Sequence, residues 1–297
     1  MAKVALVLSG GGAKGAFQFM AEKYAREAKG YKWDIIAGVS VGALNGGMLA
    51  MEKYQRLQEI WETISNDKVY TGKMNFWAIV KLFFGAKSIY GNKPLWKMID
   101  QEMERDKFKA DLRIGVVSLW TGEYTVFRPA DPGFNKAVLA STAMPIIWTP
   151  VDILPPHRDM VDGGVRNISP LGDVLDANPD EVVIINCNPR EPSKRDEPLK
   201  NVLDIGKRSL EIALNEIFVT DIREFIRINK NVQEAAAGGV TLHNEKGKPF
   251  KYYNYKIIEP DQHLDDTLDF SRKAIEKSMK AGWEKAEEVL GVVVKHQ

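Results

Sequence analysis

Short apolar runs alternate with longer amphipathic stretches along the first part of the chain. The runs at residues 3–8 and 34–38 each begin with a charged residue and are apolar after it, which predicts buried strands. The stretches at 16–28 and 41–51 carry apolar residues at helical spacing and predict helices. Strands that alternate with helices in this way indicate a mainly parallel sheet with helices on both faces, so the predicted fold class is α/β.

The remaining pattern extends this organisation to the end of the chain. Further helices are predicted at 55–64, 93–103, 134–141, 199–237 and 270–290, a β-hairpin at 113–119 and 124–127, and strands at 182–187 and 250–258. The segment 188–200 contains three prolines and mixed charges, and it is the best candidate for a boundary or a flexible excursion. We interpret the chain as one domain with a helical C-terminal addition.

Composition narrows the class of protein. Of 297 residues, 44% are hydrophobic and 27% charged, which is ordinary for a globular protein, and the net charge of +1 argues against a nucleic-acid partner. The single cysteine, Cys187, lies in an apolar run and is interpreted as a buried structural thiol. No run approaches the length of a membrane span, so we expect a cytoplasmic protein, at most peripheral to a membrane.

The segment from Gly38 to Gly42 (GVSVG) lies between a predicted strand and a predicted helix. This is the pattern of a nucleophile elbow, in which a sharp turn exposes the hydroxyl of the central serine, here Ser40. The following helix would direct free N–H groups at charge that develops on the substrate. The alternative is a plain tight turn between strand and helix.

A glycine-rich loop, Gly10 to Gly15 (GGGAKG), follows the first predicted strand. It satisfies the dinucleotide fingerprint G-x-G-x-x-G, but that fingerprint needs an acidic residue at the end of the second strand, and Asp34 stands at its start. Unpaired amides in such a loop can instead form an oxyanion hole. Since the ends of adjacent parallel strands lie close together, we expect the loop and Ser40 to share one crevice, which favours the oxyanion interpretation.

A nucleophilic serine needs a base. The four histidines lie in loops, in polar turns or at the terminus, and none has persuasive surroundings: His157, His243, His263 and His296. Asp162 is a better candidate, because it follows two apolar residues and precedes Gly163 and Gly164 on a sharp turn. Asp-Gly is also a common turn pair, so an ordinary turn remains the alternative.

Taken together, these motifs resemble the patatin-like phospholipase family. The resemblance rests on Gly10–Gly15, Gly38–Gly42 and Asp162–Gly164 in that order, and on the Ala-Ser-x-x-x-Pro segment Ala140–Pro145. It covers about residues 4–175, which we take as the catalytic core, with 176–297 as the remainder of the same domain.

The resemblance implies a three-layer α/β/α fold, with hydrolysis of lipid acyl esters by a Ser–Asp dyad and no metal or other cofactor. Ser40 would be the nucleophile and Asp162 the proton acceptor, and we expect Asp162 within hydrogen-bond reach of the Ser40 hydroxyl. The resemblance implies these further site residues: Gly10, Gly11, Gly12, Ala13, Lys14 and Gly15 at the oxyanion hole, Gly38 and Gly42 at the elbow, and Gly163 and Gly164 at the base turn. Lys14 stands where the family usually has Arg or Lys, and its charge would hold the loop or a phosphate.

Two segments are candidates for contact with lipid. Residues 74–84 are short, aromatic and apolar nearly all round, which fits a buried core helix or, alternatively, a lid or interfacial helix. The last helix, 271–290, is interpreted as an amphipathic helix that covers the sheet, with a membrane-surface helix as the alternative. The expected partner is thus a lipid or acyl-ester substrate, with peripheral membrane contact and no nucleic acid; the number of subunits is open.

Overall fold

The computed structural model describes residues 2–71, 88, 90–194 and 198–291. Within these ranges, seven strands form one sheet in the order β4-β3-β2-β1-β6-β7, with β5 paired to β3. The strands are β1 (Val4–Leu8), β2 (Ile35–Gly38), β3 (Asp111–Ser118), β4 (Tyr124–Phe127), β5 (Met160–Asp162), β6 (Glu181–Ile185) and β7 (Asn254–Ile258). The pairs β3-β2, β2-β1, β1-β6 and β6-β7 are parallel. Strands β4 and β5 run antiparallel to β3.

Nine α-helices connect and cover these strands in the described part of the chain. They are α1 (Gly15–Lys29), α2 (Val41–Ala50), α3 (Tyr54–Thr63), α4 (Asn66–Val69), α5 (Lys93–Glu102), α6 (Phe134–Ser141), α7 (Gly172–Leu175), α8 (Val202–Ala237) and α9 (Arg272–Gly291). The prediction of an α/β fold with a mainly parallel sheet is confirmed. Residues 74–84, for which we predict a core or interfacial helix, lie outside the described residues, and so does His296.

The core has two parts, one on each face of the sheet. Within β1, Leu6 and Leu8 belong to a cluster with α1, α2 and α9, whereas Ala5 and Val7 belong to a cluster with α7 and α8. This alternation is what a strand buried on both faces requires, because successive side chains point to opposite sides. The result is three layers, helices over sheet over helices.

Helix α9 covers α1 rather than lying flat on the sheet. A Cβ placed at Gly282 would lie 2.2 Å from the carbonyl oxygen of Phe17, so the two helices meet backbone to backbone. Trp283 packs edge-on against Tyr24 of α1, with ring centroids 5.1 Å apart. The helix predicted to cover the sheet thus packs mainly on α1, and it also contacts the edge strand β7.

Candidate active site

The elbow at Ser40 has a strained backbone. Ser40 follows the end of β2 and precedes α2, with φ 55° and ψ −127°, a region that non-glycine residues seldom occupy. Glycine is required on both sides, since a Cβ at Gly38 would lie 2.3 Å from the carbonyl oxygen of Gly42, and one at Gly42 would lie 2.3 Å from that of Leu8. The buried Ser141 stabilises the turn, because its Oγ accepts a hydrogen bond of 3.0 Å from the Ser40 amide.

Strand β5 brings Asp162 to the same place. Strand β2 pairs with β3 as far as Gly38 opposite Ile114, and β5 then pairs with β3 from Asp162 opposite Val116. Because β4 occupies the other edge of β3, β5 continues the position of β2 and runs towards its carboxyl end. Asp162 therefore ends its strand where the elbow begins, and its amide donates a 3.1 Å hydrogen bond to the carbonyl of Ala143.

The Asp162 carboxyl group is almost completely buried, with 5% of the residue exposed. Burial raises its pKa to about 7, because the charged form loses hydration. Two donors oppose this rise: the Gly164 amide, 2.8 Å from Oδ1, and the Ser40 hydroxyl, which interacts with the carboxylate. Such a carboxyl group exchanges a proton near neutral pH beside a serine hydroxyl, which is the property that a general base needs.

The glycine-rich loop lies against Ser40. A Cβ at Gly10 would lie 3.2 Å from that of Ser40, so the loop and the elbow touch. At Gly11 a Cβ would lie 2.3 Å from the Cβ of Cys187, and Gly12 has a φ of +56° that favours glycine. The close approach of the chain to Cys187, which is fully buried as predicted, therefore explains why this loop carries no side chain at Gly11.

Most amides of the loop are already bonded within the protein. Gly10 donates to the carbonyl of Ile168, Ala13 to Thr267 at 2.8 Å, Lys14 to Gly11, and Gly15 to carbonyls of its own turn. Among the described residues, the amides of Gly11 and Gly12 have no acceptor, and the amide of Val41 at the start of α2 has none either. Three N–H groups near Ser40 are thus free to bind an oxyanion, and that of Val41 belongs to the helix expected to direct free N–H groups there.

Lys14 adds a positive charge beside the loop. Its Nζ donates a 2.7 Å hydrogen bond to Oδ1 of Asn188, in the segment after β6. Burial lowers the pKa of Lys14, and the carboxylates of Asp266 and Glu211 are among the groups that oppose this effect. The lysine therefore ties the loop to the chain that follows β6.

A cavity of about 410 Å³ opens over Ser40 and Asp162. Its floor includes Gly10, Gly11 and Lys14, and its walls come from α8 and from residues 263–268, both far later in the sequence. His263 lies in this wall, but its Nε2 is 2.6 Å from the carbonyl oxygen of Glu191. His157 packs against Phe127 instead.

A second, smaller cavity of about 80 Å³ meets Ser40 from the other side and is lined almost entirely by apolar side chains. It follows one face of α2, where Val41, Leu44 and Met48 recur at helical spacing. Because α2 begins at the residue after Ser40, the cavity that runs along this helix reaches the serine. Ser40, Met144 and Thr267 line both cavities and so mark their junction.

The dinucleotide alternative loses its acidic partner. Asp34 lies at the amino end of β2, where its Oδ2 accepts a 2.8 Å hydrogen bond from the amide of Val4. That is the end of the sheet opposite the glycine-rich loop, so Asp34 cannot bind a ribose held there. Within the described ranges, no group of His, Cys, Asp and Glu residues is arranged to hold a metal ion.

A serine on a strand-to-helix turn, beside a buried carboxyl group and free amides, is the kind of site that serine acyl hydrolases use. The sequence matches the family model of the patatin-like phospholipases over residues 6–175. The chain therefore belongs to the patatin-like phospholipase family, whose members are lipid acyl hydrolases. The resemblance seen in its motifs is confirmed.

Other comparisons are more distant. The structure is similar to that of VipD from Legionella pneumophila, with 12% sequence identity and a TM-score of 0.47 over 98% of this chain and 67% of VipD. No curated protein sequence matches the chain. In the described part of the chain, none of the helices combines the length and apolar character needed to cross a bilayer.

Proposed function

We propose that this protein hydrolyses acyl esters of phospholipids or related lipids, with Ser40 as nucleophile and Asp162 as general base. The observation that carries the proposal is that Ser40, on a strained strand-to-helix turn, lines the same cavity as the buried carboxyl group of Asp162, whose pKa is raised to about 7. A carboxylate with an ordinary pKa near 3.9 is a weak base towards a serine, and burial brings it closer to the strength that the reaction requires.

In the proposed reaction, Asp162 accepts the proton of the Ser40 hydroxyl as Oγ forms a bond to the ester carbonyl carbon. The tetrahedral oxyanion is bound by the amides of Gly11 and Gly12, which have no acceptor among the described residues, and the amide of Val41 is placed to assist. The carbon–oxygen bond to the alcohol then breaks, and Asp162 returns the proton to the leaving alcohol. Water attacks the acyl-enzyme in the same way, which regenerates Ser40 and releases the fatty acid.

The two cavities support a lipid substrate. The apolar cavity along α2 is suited to an acyl chain, whose burial there removes apolar surface from water. The larger cavity carries Lys14 and other charged side chains and is suited to the remainder of the molecule. Ser40 lies at their junction, where the ester carbonyl of such a substrate would be held.

The test compares hydrolysis of p-nitrophenyl esters and defined phospholipids by the wild type, Ser40→Ala and Asp162→Asn, together with labelling by a fluorophosphonate probe. We expect Ser40→Ala to abolish both labelling and turnover, and Asp162→Asn to reduce turnover by about 10²–10⁴-fold, the usual contribution of a general base. Ser278→Ala, a buried serine of α9 outside both cavities, is the matched control and keeps full activity. Turnover that survives Ser40→Ala would overturn the proposal, and lipid binding without any turnover by the wild type would indicate a regulatory protein instead.

A further inference from the structure

The first half of α8 exposes large apolar side chains along one face. Val202 is 71% exposed and Ile205 and Ile212 are each 50% exposed, and Leu199, just before the helix, is 40% exposed. Positions 202, 205 and 212 fall on the same side of a helix with 3.6 residues per turn. Single exposed apolar residues are common, but three on one face of a helix with a fourth just before it indicate an interaction site. We call these four residues the α8 stripe.

The α8 stripe leads into the candidate active site. Ile212 belongs to the stripe and also lines the cavity over Ser40. Lys207 and Arg208, one turn earlier on α8, line the same cavity. A surface that binds along the stripe would therefore cover the mouth of this cavity.

Positive charge borders the stripe. Lys194, Lys200 and Lys207 lie along or next to it, and none of the three forms an ion pair with a described residue. Of the nearby acidic side chains, Glu211 pairs with Arg208, whereas Asp204 accepts hydrogen bonds from the Lys200 amide and the Asn201 side chain, both neutral donors, and keeps its charge. Among the described residues, the three lysines thus outnumber the one unpaired carboxylate, Asp204, and this excess of positive charge is complementary to anionic lipid headgroups.

A second exposed apolar element lies at the same edge of the sheet. In the turn after β3, Leu119 is 54% exposed and Trp120 is 71% exposed. The Arg166 side chain donates a 2.6 Å hydrogen bond to the carbonyl of Gly122 in this turn, and the preceding residue, Val165, lines the cavity over Ser40. The turn is therefore linked through Arg166 to a residue that lines the cavity, and an exposed tryptophan is typical of the interface between water and lipid.

We propose that the α8 stripe and the Leu119–Trp120 turn form one docking surface for an anionic lipid bilayer, with the cavity mouth facing the lipid. The inference rests on the proposed function for its choice of occupant, because a lipid hydrolase must take its substrate from such a surface. Apolar side chains at the mouth and lysines around them are the two features that interfacial binding requires.

The test measures binding to vesicles in the Ser40→Ala background, where no lipid is consumed. Co-sedimentation is compared for vesicles of phosphatidylcholine alone and of phosphatidylcholine mixed with phosphatidylglycerol. We expect tighter binding to the mixed vesicles, weakened by salt. Val202→Ser with Ile205→Ser, or Trp120→Ala alone, should weaken that binding by about tenfold or more, since each loses the burial of a large apolar side chain. Val240→Ser, at a side chain 56% exposed and outside this surface, is the matched control and binds as the parent does.

The outcomes separate this inference from the proposed function. With Ser40 restored, the docking variants should hydrolyse a soluble p-nitrophenyl ester at the parent rate but lose activity on vesicles. Vesicle binding by a wild type without esterase activity would contradict the proposed function and leave the docking surface in place. Unchanged vesicle binding in both docking variants would overturn the inference, and so would a dimer in analytical ultracentrifugation that the same substitutions dissociate.

Discussion

The properties of Asp162 follow from where its carboxyl group is buried. The native carboxyl group has a pKa of about 7, whereas in an unfolded chain it titrates near 3.9. The native state therefore binds more protons than the unfolded state between about pH 4 and pH 7. Across this window the free energy of unfolding falls as pH rises, while the fraction of carboxylate, and with it the activity expected of a general base, increases.

The raised pKa of Asp162 predicts that activity and stability change in opposite directions with pH. We expect kcat/KM of the wild type on a soluble ester to rise through an apparent pKa near 7. Asp162→Asn, which carries no charge at any pH, should lose this activity and be more stable than the wild type in urea at pH 8, but not at pH 4. Asp221→Asn is the control: burial also raises the pKa of Asp221, to about 6, but this residue lies on α8 outside both cavities and its removal leaves activity unchanged. A rate that does not change between pH 5 and pH 8 would contradict the prediction.

At the scale of residues, the sequence indicated the elbow but not its partners. The Gly38–Gly42 motif can be recognised locally, because a Cβ at Gly38 would meet the carbonyl oxygen of Gly42 within the same five residues, whereas the contact that excludes a side chain at Gly42 comes from Leu8 of β1. Asp162 could be named from the residues only as one of two interpretations, since its approach to Ser40 depends on strand pairing with β3. Ser141, which accepts the hydrogen bond of the Ser40 amide, carries no local signal of that contact.

At the scale of elements, the proposed function makes α2 and the apolar cavity beside it the part of the molecule that would set the length of the acyl chain. Seven residues separate Val41 from Met48 on the lining face, so this face extends about 10 Å at 1.5 Å per residue. Met103 also lines the cavity and packs so close to α2 that a Cβ at Gly47 would lie 2.6 Å from its Cε. The flexible side chain of Met103 therefore occupies space that a longer chain would need.

We predict that shortening Met103 changes chain-length preference. Met103→Ala should raise the ratio of kcat/KM for palmitate esters over butyrate esters by about threefold to tenfold, since each buried methylene contributes about 0.8 kcal/mol. Leu44→Trp, which fills the cavity, should shift the ratio the other way. Met20→Ala, at a methionine outside both cavities, controls for the loss of a methionine. Because Met→Ala in a core costs about 2–5 kcal/mol, Met103→Val provides a milder variant if the first does not fold. An unchanged ratio in folded variants would show that acyl chains do not enter this cavity.

Elements with strong periodicity were predicted well, and short ones were not. Helix α6 was predicted at its observed bounds, Phe134–Ser141, because apolar side chains recur there at helical spacing and a proline follows. Strand β5 has three residues, and its Asp-Gly-Gly end is typical of an ordinary turn, so no strand is predicted there from the residues alone. The walls of the larger cavity come from α8 and residues 263–268, whose position depends on packing between distant parts of the chain.

At the scale of the whole molecule, the chain beyond the family match completes the fold and the site. The match ends at residue 175, yet β6 pairs with β1 in the middle of the sheet. The carbonyl of Thr267 accepts a hydrogen bond from Ala13, and a Cβ at Gly12 would lie 2.2 Å from that same carbonyl oxygen. The glycine-rich loop is therefore held from both sides, by the strand before it and by the segment that leads into α9.

The contact of α9 with α1 secures this arrangement and can be tested with two glycines. Both Gly206 of α8 and Gly282 of α9 are helical, so Gly→Ala should add about 0.5–1 kcal/mol of stability where nothing opposes it. At Gly206 no atom lies within 4 Å of the added Cβ, and we expect that full gain. At Gly282 the Cβ would lie 2.2 Å from the Phe17 carbonyl oxygen, so the helices must separate, and we expect a loss of about 1–3 kcal/mol in urea unfolding. Because α1 begins at the end of the glycine-rich loop, Gly282→Ala should also lower the rate of fluorophosphonate labelling, whereas Gly206→Ala should not. Equal stabilisation by both substitutions would contradict the close contact of α9 with α1.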